Sequence, residues 1–398
     1  MKPQTLPTQP NRRAALLGLA AATLGLGNQA ANAAPRAAAW SIETLHAFAP
    51  NEGTRAVGSL VFGPDGLLYG VHAMGGQRGL GTVYRLSPGD GAFSVLHHFD
   101  YASEDAAEPE CGLVVGQDGR LWGSSLFGGA FFRGTVYSID TAGDVVVQAE
   151  FGAVDAGLNP MGGLVEGKTG RFYGTTGGTV YRLDARPGGQ LKAIHRFDPE
   201  GDGWGSEAAL TLSPQGLLYG TNGRGGAHGH GTLFRLATNG EGFETLKSLD
   251  GGLEGSDPGV ALLRASDGHF YGCTRTGGLH DKGVLFRLGN DSSYTVLHHF
   301  RGGPYDGAYP RAALVQGPDG ALYGTTVEGG QAPQSYGTVF RLSPRGTLRL
   351  IHRFNEEGAE GGTPVGALTW GPDGRLYGTG QSGGAHHCGT VYRLTPPA

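Results

Sequence analysis

Short apolar runs separated by glycine-rich turns repeat along the chain from Ser41 onward. The tripeptide [Leu/Phe]-[Tyr/Trp]-Gly recurs seven times, with its glycine, here called the anchor glycine, at Gly70, Gly123, Gly174, Gly220, Gly272, Gly324 and Gly378. Successive anchor glycines are 46 to 54 residues apart. A period of this length indicates a repeat architecture.

Each repeat contains four β-rich runs. The first carries a leucine ten residues before the anchor glycine, the second holds the tripeptide, the third resembles Gly-Thr-Val-Tyr-Arg-Leu, and the fourth resembles Leu-His-x-Phe. Tetrads such as Gly63–Gly66 favour a tight turn between the first two runs. Four strands per period of about 50 residues are typical of a propeller blade, because solenoid repeats are generally shorter or helical. We therefore predict an all-β, seven-bladed β-propeller.

The two ends of the repeat array complement each other. The last unit stops after its third run, at Gly389–Leu394, and a fourth-run segment, Ser41–Phe48, precedes the first unit. The N-terminal strand is therefore expected to complete the last blade and close the ring, which leaves only short strand edges.

These features together resemble the GloVer-type (choice-of-anchor) tandem repeat. The match is cleanest at Pro310–Leu342 and extends over residues 34–398. The resemblance implies a secreted, propeller-like protein, often tethered to the cell surface through a C-terminal anchor, and implies no particular activity. This sequence stops at Ala398 with no such tail, so no anchor is expected. A kelch propeller is the neighbouring alternative, since it has a similar period and a double glycine.

The N-terminal segment resembles an export signal. Arg12 and Arg13 precede an apolar stretch, Ala14–Gly27, and Ala31–Ala33 offers small residues for cleavage. The adjacent arginines favour the twin-arginine route over an ordinary Sec signal. We predict a signal peptide at 1–33, a single propeller domain at 34–398, and a periplasmic or extracellular location.

Charge and cysteine content narrow the classes of partner. Without residues 1–33 the chain loses Lys2, Arg12 and Arg13 and no acid, so its net charge falls from −5 to −8. This mildly acidic chain has no polybasic run, so we expect neither nucleic acid nor a membrane as partner. Three cysteines without a Cys-x-x-Cys pair predict neither a disulfide framework nor a metal cluster. We expect a monomer without a cofactor.

Two residue types recur in most units and are interpreted as scaffold. An acid lies about 18 residues before each anchor glycine, as Glu52, Asp105, Asp155, Asp202, Glu254, Asp306 and Glu360. Fourth-run histidines stand at His46, His97, His195, His298 and His352. The acids are expected to cap backbone N–H groups of their own loops. A ring of carboxylates that binds calcium is the alternative.

One column of the repeat departs from the pattern. Thirteen residues before each anchor glycine stand Val57, Glu110, Met161, Glu207, Gly259, Arg311 and Val365, here called the mouth column. This position should begin the innermost strand, near the mouth of the channel. Glu110, Glu207 and Arg311 could serve as acid, base and substrate anchor if the protein is an enzyme. The alternative is a solvated network of paired charges.

Further ligand-binding candidates lie near this column. Trp204, Tyr305 and Tyr309 are aromatic side chains on which sugars stack, and His280 lies in a Gly-Gly loop. Equivalent loop histidines on different blades are too far apart for one metal, so no metal site is predicted. Two functions remain open. The first is an exported recognition module that binds a carbohydrate or a protein, and the second is an exported polysaccharide lyase or glycoside hydrolase.

Overall fold

The computed structural model describes residues 39–101, 105–152, 155–168, 170–185, 190–330, 335–355 and 359–397. The predicted export signal, 1–33, lies outside them. The described residues contain strands and turns and no α-helix, and hence no helix suited to crossing a membrane. The strands form seven four-stranded antiparallel sheets, which are the seven blades of a β-propeller. The predicted fold class is therefore confirmed.

In blades 1 to 6 the strands run from the central channel outward in chain order, and in blade 7 the first strand of the chain is outermost. Blades 1 and 2 consist of β2 (Thr54–Phe62), β3 (Leu68–Met74), β4 (Thr82–Leu86) and β5 (Phe93–His98), and of β7 (Val114–Val115), β8 (Leu121–Ser125), β10 (Thr135–Ile139) and β11 (Val145–Glu150). Blades 3 and 4 consist of β12 (Val165–Glu166), β13 (Arg171–Thr175), β14 (Thr179–Asp184) and β15 (Leu191–Arg196), and of β16 (Thr211–Leu212), β17 (Leu217–Asn222), β18 (Thr232–Ala237) and β19 (Glu244–Ser248).

The remaining blades follow the same order. Blades 5 and 6 consist of β20 (Leu263–Arg264), β21 (Phe270–Thr274), β22 (Val284–Leu288) and β23 (Tyr294–His299), and of β25 (Val315–Gln316), β26 (Leu322–Thr326), β28 (Thr338–Leu342) and β29 (Leu348–Arg353). Blade 7 consists of β30 (Thr369–Trp370), β31 (Leu376–Gly380), β32 (Thr390–Thr395) and β1 (Ser41–Ala47). Two short ladders pair β6 (Ala106–Ala107) with β9 (Phe127–Gly128), and β24 (Gly307–Ala308) with β27 (Glu328–Gly329).

The N-terminal strand closes the ring as predicted. β1 pairs antiparallel with β32, from Ser41 opposite Thr395 to Ala47 opposite Thr390. Phe48 N–H then donates to the Gly389 carbonyl at 3.0 Å. Blade 7 is thus built from both ends of the described chain.

Hydrophobic packing is divided among the seven interfaces between blades. The buried apolar residues described here form seven clusters, and each joins two neighbouring blades. For example, Phe99 directly follows the fourth strand of blade 1 and packs against Tyr137 of blade 2, with ring centroids 5.3 Å apart. Both side chains are fully buried. Neighbouring blades are therefore held together mainly by apolar burial.

The anchor glycine is required by an aromatic side chain of its own blade. Each anchor glycine lies directly opposite a third-strand Tyr or Phe, such as Gly324 opposite Phe340. A Cβ atom on Gly324 would lie 2.5 Å from Phe340 Cζ, so even alanine does not fit without displacement. The aromatic ring covers the glycine and then meets the preceding blade, as Phe340 meets Phe300 at 5.4 Å. The repeated tripeptide is thus a packing device.

Candidate functional site

All seven residues of the mouth column line one central cavity of about 510 Å³. In six blades they lie just before the innermost strand, and in blade 1 Val57 lies within β2, which puts the cavity at the mouth of the propeller channel. Small residues follow in most blades, such as Gly112, Gly366 and Ala313. Gly112 and Gly366 approach the blade 1 backbone too closely to carry a side chain, so the inner wall is tightly packed.

The residue two positions before each mouth-column residue has a left-handed backbone. These residues are Arg55, Glu108, Asn159, Gly205, Asp257, Tyr309 and Thr363, with φ between 52° and 74°. Six of them are not glycine, and such residues rarely adopt this conformation, which carries a cost of order 1–3 kcal/mol. Backbone hydrogen bonds compensate: Tyr309 N–H donates to Lys282 in the preceding blade, and its carbonyl accepts from Val327. The entry to the inner strand is therefore held rigidly in place.

In most blades the glycine at the start of the third run also contacts the residues just before the mouth column of the next blade. Gly283 has φ +90° and lies where a Cβ atom would be 3.0 Å from Pro310 Cδ of the next blade. A proline stands at this position before the mouth column in five of the seven units. Its fixed φ further restricts the segment that carries the mouth-column side chain.

Glu110 forms an ion pair across the first blade interface. Its carboxylate accepts a hydrogen bond from Arg55 Nη1 at 2.8 Å, and 14% of its side chain is exposed. Burial raises the pKa of Glu110; Arg55 opposes the rise, and the carboxylates of Glu108 and Glu207 add to it. Glu110 is thus a partly buried carboxyl with a raised pKa at the wall of the cavity.

A second ion-pair network lies at blades 4 and 5. Arg275 Nη1 donates to Glu207 at 2.8 Å and lies 3.5 Å from Asp257, while Arg275 Nη2 donates to the Gly259 carbonyl at 3.1 Å. Burial also raises the pKa of Asp257; Arg275 opposes this rise and Glu207 contributes to it. The guanidinium of Arg275 thereby fixes the position of the Glu207 carboxylate.

Arg311 differs from the other two arginines of the cavity. It lines the wall at blade 6 and is exposed. Within the described part of the chain it forms no ion pair, whereas Arg55 and Arg275 are each paired to a glutamate. The cavity therefore contains one arginine, Arg311, that is not ion-paired to any carboxylate of the described residues.

The remaining wall is neutral. Val57, Met161 and Val365 supply apolar surface, and Gln381 of blade 7 supplies an amide. Cys111 also lies here, where it is buried and contacts Ser124 Oγ at 3.2 Å. Burial raises the pKa of the Cys111 thiol to about 11, so it is a thiol at neutral pH.

Of the catalytic and ligand-binding candidates predicted from the sequence, Glu110, Glu207 and Arg311 line the cavity. Trp204, Tyr305, Tyr309 and His280 are not among its lining residues. Trp204 is covered on one side by the Arg224 guanidinium, 5.1 Å from its ring centroid. Tyr309 accepts a hydrogen bond from Lys282 Nζ. Tyr305 borders a separate hollow near His298 and Arg353, and His280 is exposed.

The recurring acids and fourth-strand bases bind one another, which the sequence analysis did not foresee. Nε2 of His46, His97, His195 and His298 lies 2.5–3.0 Å from the acid of the following connection, and Lys247 Nζ lies 2.5 Å from Glu254. Some of these acids also accept backbone N–H groups, as predicted: Glu52 accepts from Ala49 at 2.8 Å. No cluster of three or more metal-binding side chains occurs among the described residues.

The sequence analysis did not select Arg55, Arg275 or Gln381. Arg275 and Gln381 follow the anchor glycine by three positions, where the other units have Ala73, Leu126, Gly177, Gly223 and Val327. The same comparison between units that isolated Arg311 would have isolated both, had it been applied to this column.

Comparison with known proteins gives a family and a fold. The Gloeobacter/Verrucomicrobia repeat family matches residues 33–178, 176–317 and 252–398. No curated protein matches the sequence. Among solved structures, virginiamycin B lyase from Staphylococcus aureus is 16% identical, with a TM-score of 0.61 over 90% of this chain and 99% of that one.

Two further solved structures share the fold. Oligogalacturonate lyase in complex with manganese is 13% identical, with a TM-score of 0.54 over 89% of this chain and 93% of that one. The extracellular domain of a two-component system protein from B. thetaiotaomicron is 14% identical, with a TM-score of 0.57 over 89% of this chain and 41% of that one. At such low identities the likeness concerns the fold alone.

Proposed function

The chain belongs to the Gloeobacter/Verrucomicrobia repeat family, and from the chemistry of its central cavity we propose that it is an exported recognition module that binds a carbohydrate at the channel mouth. The observation that carries the proposal is the loss of repeat symmetry at the mouth column. Anchor glycines, third-strand aromatics and inter-blade acids recur around the ring, while the mouth column holds Glu, Glu and Arg among apolar residues and glycine.

The cavity has the properties that sugar recognition requires. Its volume of about 510 Å³ lies within the range of about 300–1,000 Å³ typical of small-ligand sites. Carboxylates accept hydrogen bonds from sugar hydroxyls, and guanidinium and amide groups donate them. Arg275 and Arg55 hold the two glutamates in place before a ligand arrives, which lowers the entropic cost of binding.

Export rests on the N-terminal sequence. The charged, apolar and small-residue regions of 1–33 support it. Among the solved structures with this fold, the oligogalacturonate lyase is named for a carbohydrate substrate, which supports a sugar-directed role by analogy of fold only.

Calorimetric titration of the purified protein with neutral and acidic mono- and oligosaccharides tests the proposal. We expect at least one sugar to bind, and Glu207→Gln to weaken it about tenfold or more, because a charged hydrogen-bond acceptor is lost. Glu244→Gln is the matched control, since Glu244 pairs with Arg235 on the outer part of the same blade. If no sugar binds, or if both variants bind like wild type, the carbohydrate proposal fails and a protein ligand becomes the better hypothesis.

A second candidate function is catalysis on the bound sugar, as a lyase or a hydrolase. It is favoured by the two glutamates, which are both ion-paired to an arginine but differ in burial: the Glu110 side chain is 14% exposed and burial raises its pKa, whereas the Glu207 side chain is 33% exposed. Carboxyls in different environments are suited to act as acid and base. In this case Glu110→Gln should abolish turnover of a bound oligosaccharide while leaving its affinity within threefold. An unchanged rate in Glu110→Gln would exclude Glu110 as the acid.

A further inference from the structure

One arginine of the cavity is unpaired among the described residues. Three arginines and two glutamates line the cavity, and Asp257 lies 3.5 Å from Arg275. Arg55 and Arg275 are each bound to a glutamate at 2.8 Å, so Arg311 is the arginine left without a partner in the described chain. A guanidinium stays charged at any physiological pH. Its charge is therefore available to a ligand in the cavity.

Arg311 has no evident role in the scaffold. At the equivalent position the other units have Val57, Glu110, Met161, Glu207, Gly259 and Val365, and none of these is basic. The six corresponding blades fold with the same four strands, so the fold does not need an arginine here.

The backbone that carries Arg311 is nevertheless firmly held. Pro310 and Ala312 on either side are buried. The Tyr309 backbone is hydrogen-bonded to blade 5 through Lys282 and to its own blade through Val327. A charged side chain on a fixed backbone loses less entropy when it binds a ligand.

The unpaired positive charge of Arg311 lies at blade 6, whereas the ion-paired charges of the cavity lie at blades 1, 2, 4 and 5. Gln381 lines the cavity in the adjacent blade, and its side-chain amide forms no hydrogen bond within the described part of the chain. Glu110 and Glu207 lie at blades 2 and 4. A ligand with an anionic group at one end and hydroxyls elsewhere fits this arrangement.

We infer that the carbohydrate bound at the channel mouth carries a carboxylate, as a uronic acid does, and that Arg311 binds this carboxylate. The inference rests on the proposed function and specifies its ligand class. The planar fork of a guanidinium matches the two oxygens of a carboxylate, with two parallel hydrogen bonds. Gln381 would donate to a ring hydroxyl, and Glu207 would accept from one.

Matched sugar pairs test the inference. Binding of glucuronate and galacturonate, and of their oligomers, is measured against glucose, galactose and the same oligomers with their carboxyl groups reduced to alcohols. We expect the acidic member of at least one pair to bind about tenfold to a hundredfold more tightly. This preference should shrink as salt is raised, because the contact is ionic and partly exposed. Galactose 6-phosphate serves as a second anionic probe.

Two variants test whether Arg311 is the group that binds the carboxylate of the sugar. Arg311→Gln should remove the preference for the acidic sugar and keep the affinity for the neutral one within threefold. Arg301→Gln, in the same inter-blade connection but outside the cavity, should bind both like wild type. Equal binding of acidic and neutral sugars, a preference that survives Arg311→Gln, or tighter binding of the phosphate would each overturn the inference and leave the proposed function standing. Absence of binding by every sugar would overturn both.

Discussion

Gly174 and Gly177 stand three residues apart in blade 3, and a side chain is excluded at only one of them. A Cβ atom on Gly174 would collide with the Tyr181 ring, whereas no atom lies within 4 Å of a Cβ atom on Gly177. Neither glycine has a positive φ. The difference between the two positions is therefore one of packing and not of backbone conformation.

This difference gives a test of the anchor glycine. We expect Gly174→Ala to lower the free energy of unfolding by about 2 kcal/mol or more, because the Tyr181 ring or the strand must shift. Gly177→Ala, the control, should change it by less than about 0.5 kcal/mol. Urea denaturation of the two variants measures both values. Equal stability of the variants would mean that Tyr181 does not require the glycine.

His72 is a buried histidine at a position where the other units have Ser125, Thr176, Asn222, Thr274, Thr326 and Gly380. It is fully buried, with Nδ1 2.9 Å from Thr82 Oγ1, and burial lowers its pKa to about 3. The folded protein therefore keeps His72 neutral, while the unfolded chain protonates it below its ordinary pKa of about 6.5.

The consequence for stability follows from proton linkage. Because the unfolded state binds the extra proton, His72 should lower the free energy of unfolding as pH falls from about 6.5 towards 3, by about 1.4 kcal/mol per pH unit. His72→Thr, which restores the residue type of several other units, should remove this component. Urea denaturation at pH 8, 6, 5 and 4 compares the two proteins. A constant difference between them across this range would contradict the prediction.

At the scale of elements, the connections between blades show why pairing partners escaped sequence analysis. The fourth-run histidine and the acid that follows it, such as His97 and Asp105, stand at equivalent positions in most units. In blade 1, however, the pairing of β4 with β5 shifts by one residue between Val83 and Tyr84. The same slip occurs in all seven blades. A bulge interrupts the alternation of side chains, so the face on which a histidine lies cannot be derived by counting.

The third connection provides a natural control for these pairs. Ala149 takes the place of the histidine, and Asp155, its side chain 90% exposed, pairs with Arg196 of the next blade instead. Asp105 is buried, contacts His97 at 2.5 Å and accepts from Ala106 N–H. Asp105→Asn should therefore lower the unfolding free energy by about 1–3 kcal/mol, and Asp155→Asn by less than about 0.5 kcal/mol. Thermal unfolding of the two variants at neutral pH measures the loss of stability. Equal losses for Asp105→Asn and Asp155→Asn would show that the connection does not depend on the His97–Asp105 pair.

The whole ring was predictable from the sequence because its determinants repeat. Seven anchor glycines and seven third runs fix the blade number, and the displaced fourth run at Ser41–Phe48 fixes the closure. The cavity was predictable only in part. Arg275 reaches it from the loop after a second strand and binds Glu207, 68 residues earlier. A contact of this kind is set by how neighbouring blades pack, and no single repeat contains the information.

Ring closure can be tested by moving the chain ends. In a permutant with the native ends joined and new ends between Asp291 and Ser292, blade 5 is built from both ends of the chain. In a second permutant, opened between Gly252 and Leu253, each blade is formed by one continuous segment of chain. No blade then contains strands from both ends of the chain. We expect the second to unfold at lower urea concentration and with a smaller m value, since the blade 4–5 interface alone closes it. Identical transitions would show that the shared blade does not contribute to stability.

The pairing of β1 with β32 also has a consequence for synthesis. Glu43 and Arg393, which bind one another across this pair, are 350 residues apart, so β1 leaves the ribosome long before its partner exists. At about 5–20 residues per second the delay is roughly 20–70 s. Throughout that time β1 is a strand segment with unpaired backbone groups, which other chains can bind. Protecting this one nascent strand is therefore a task for the chaperones of the cell that makes the protein.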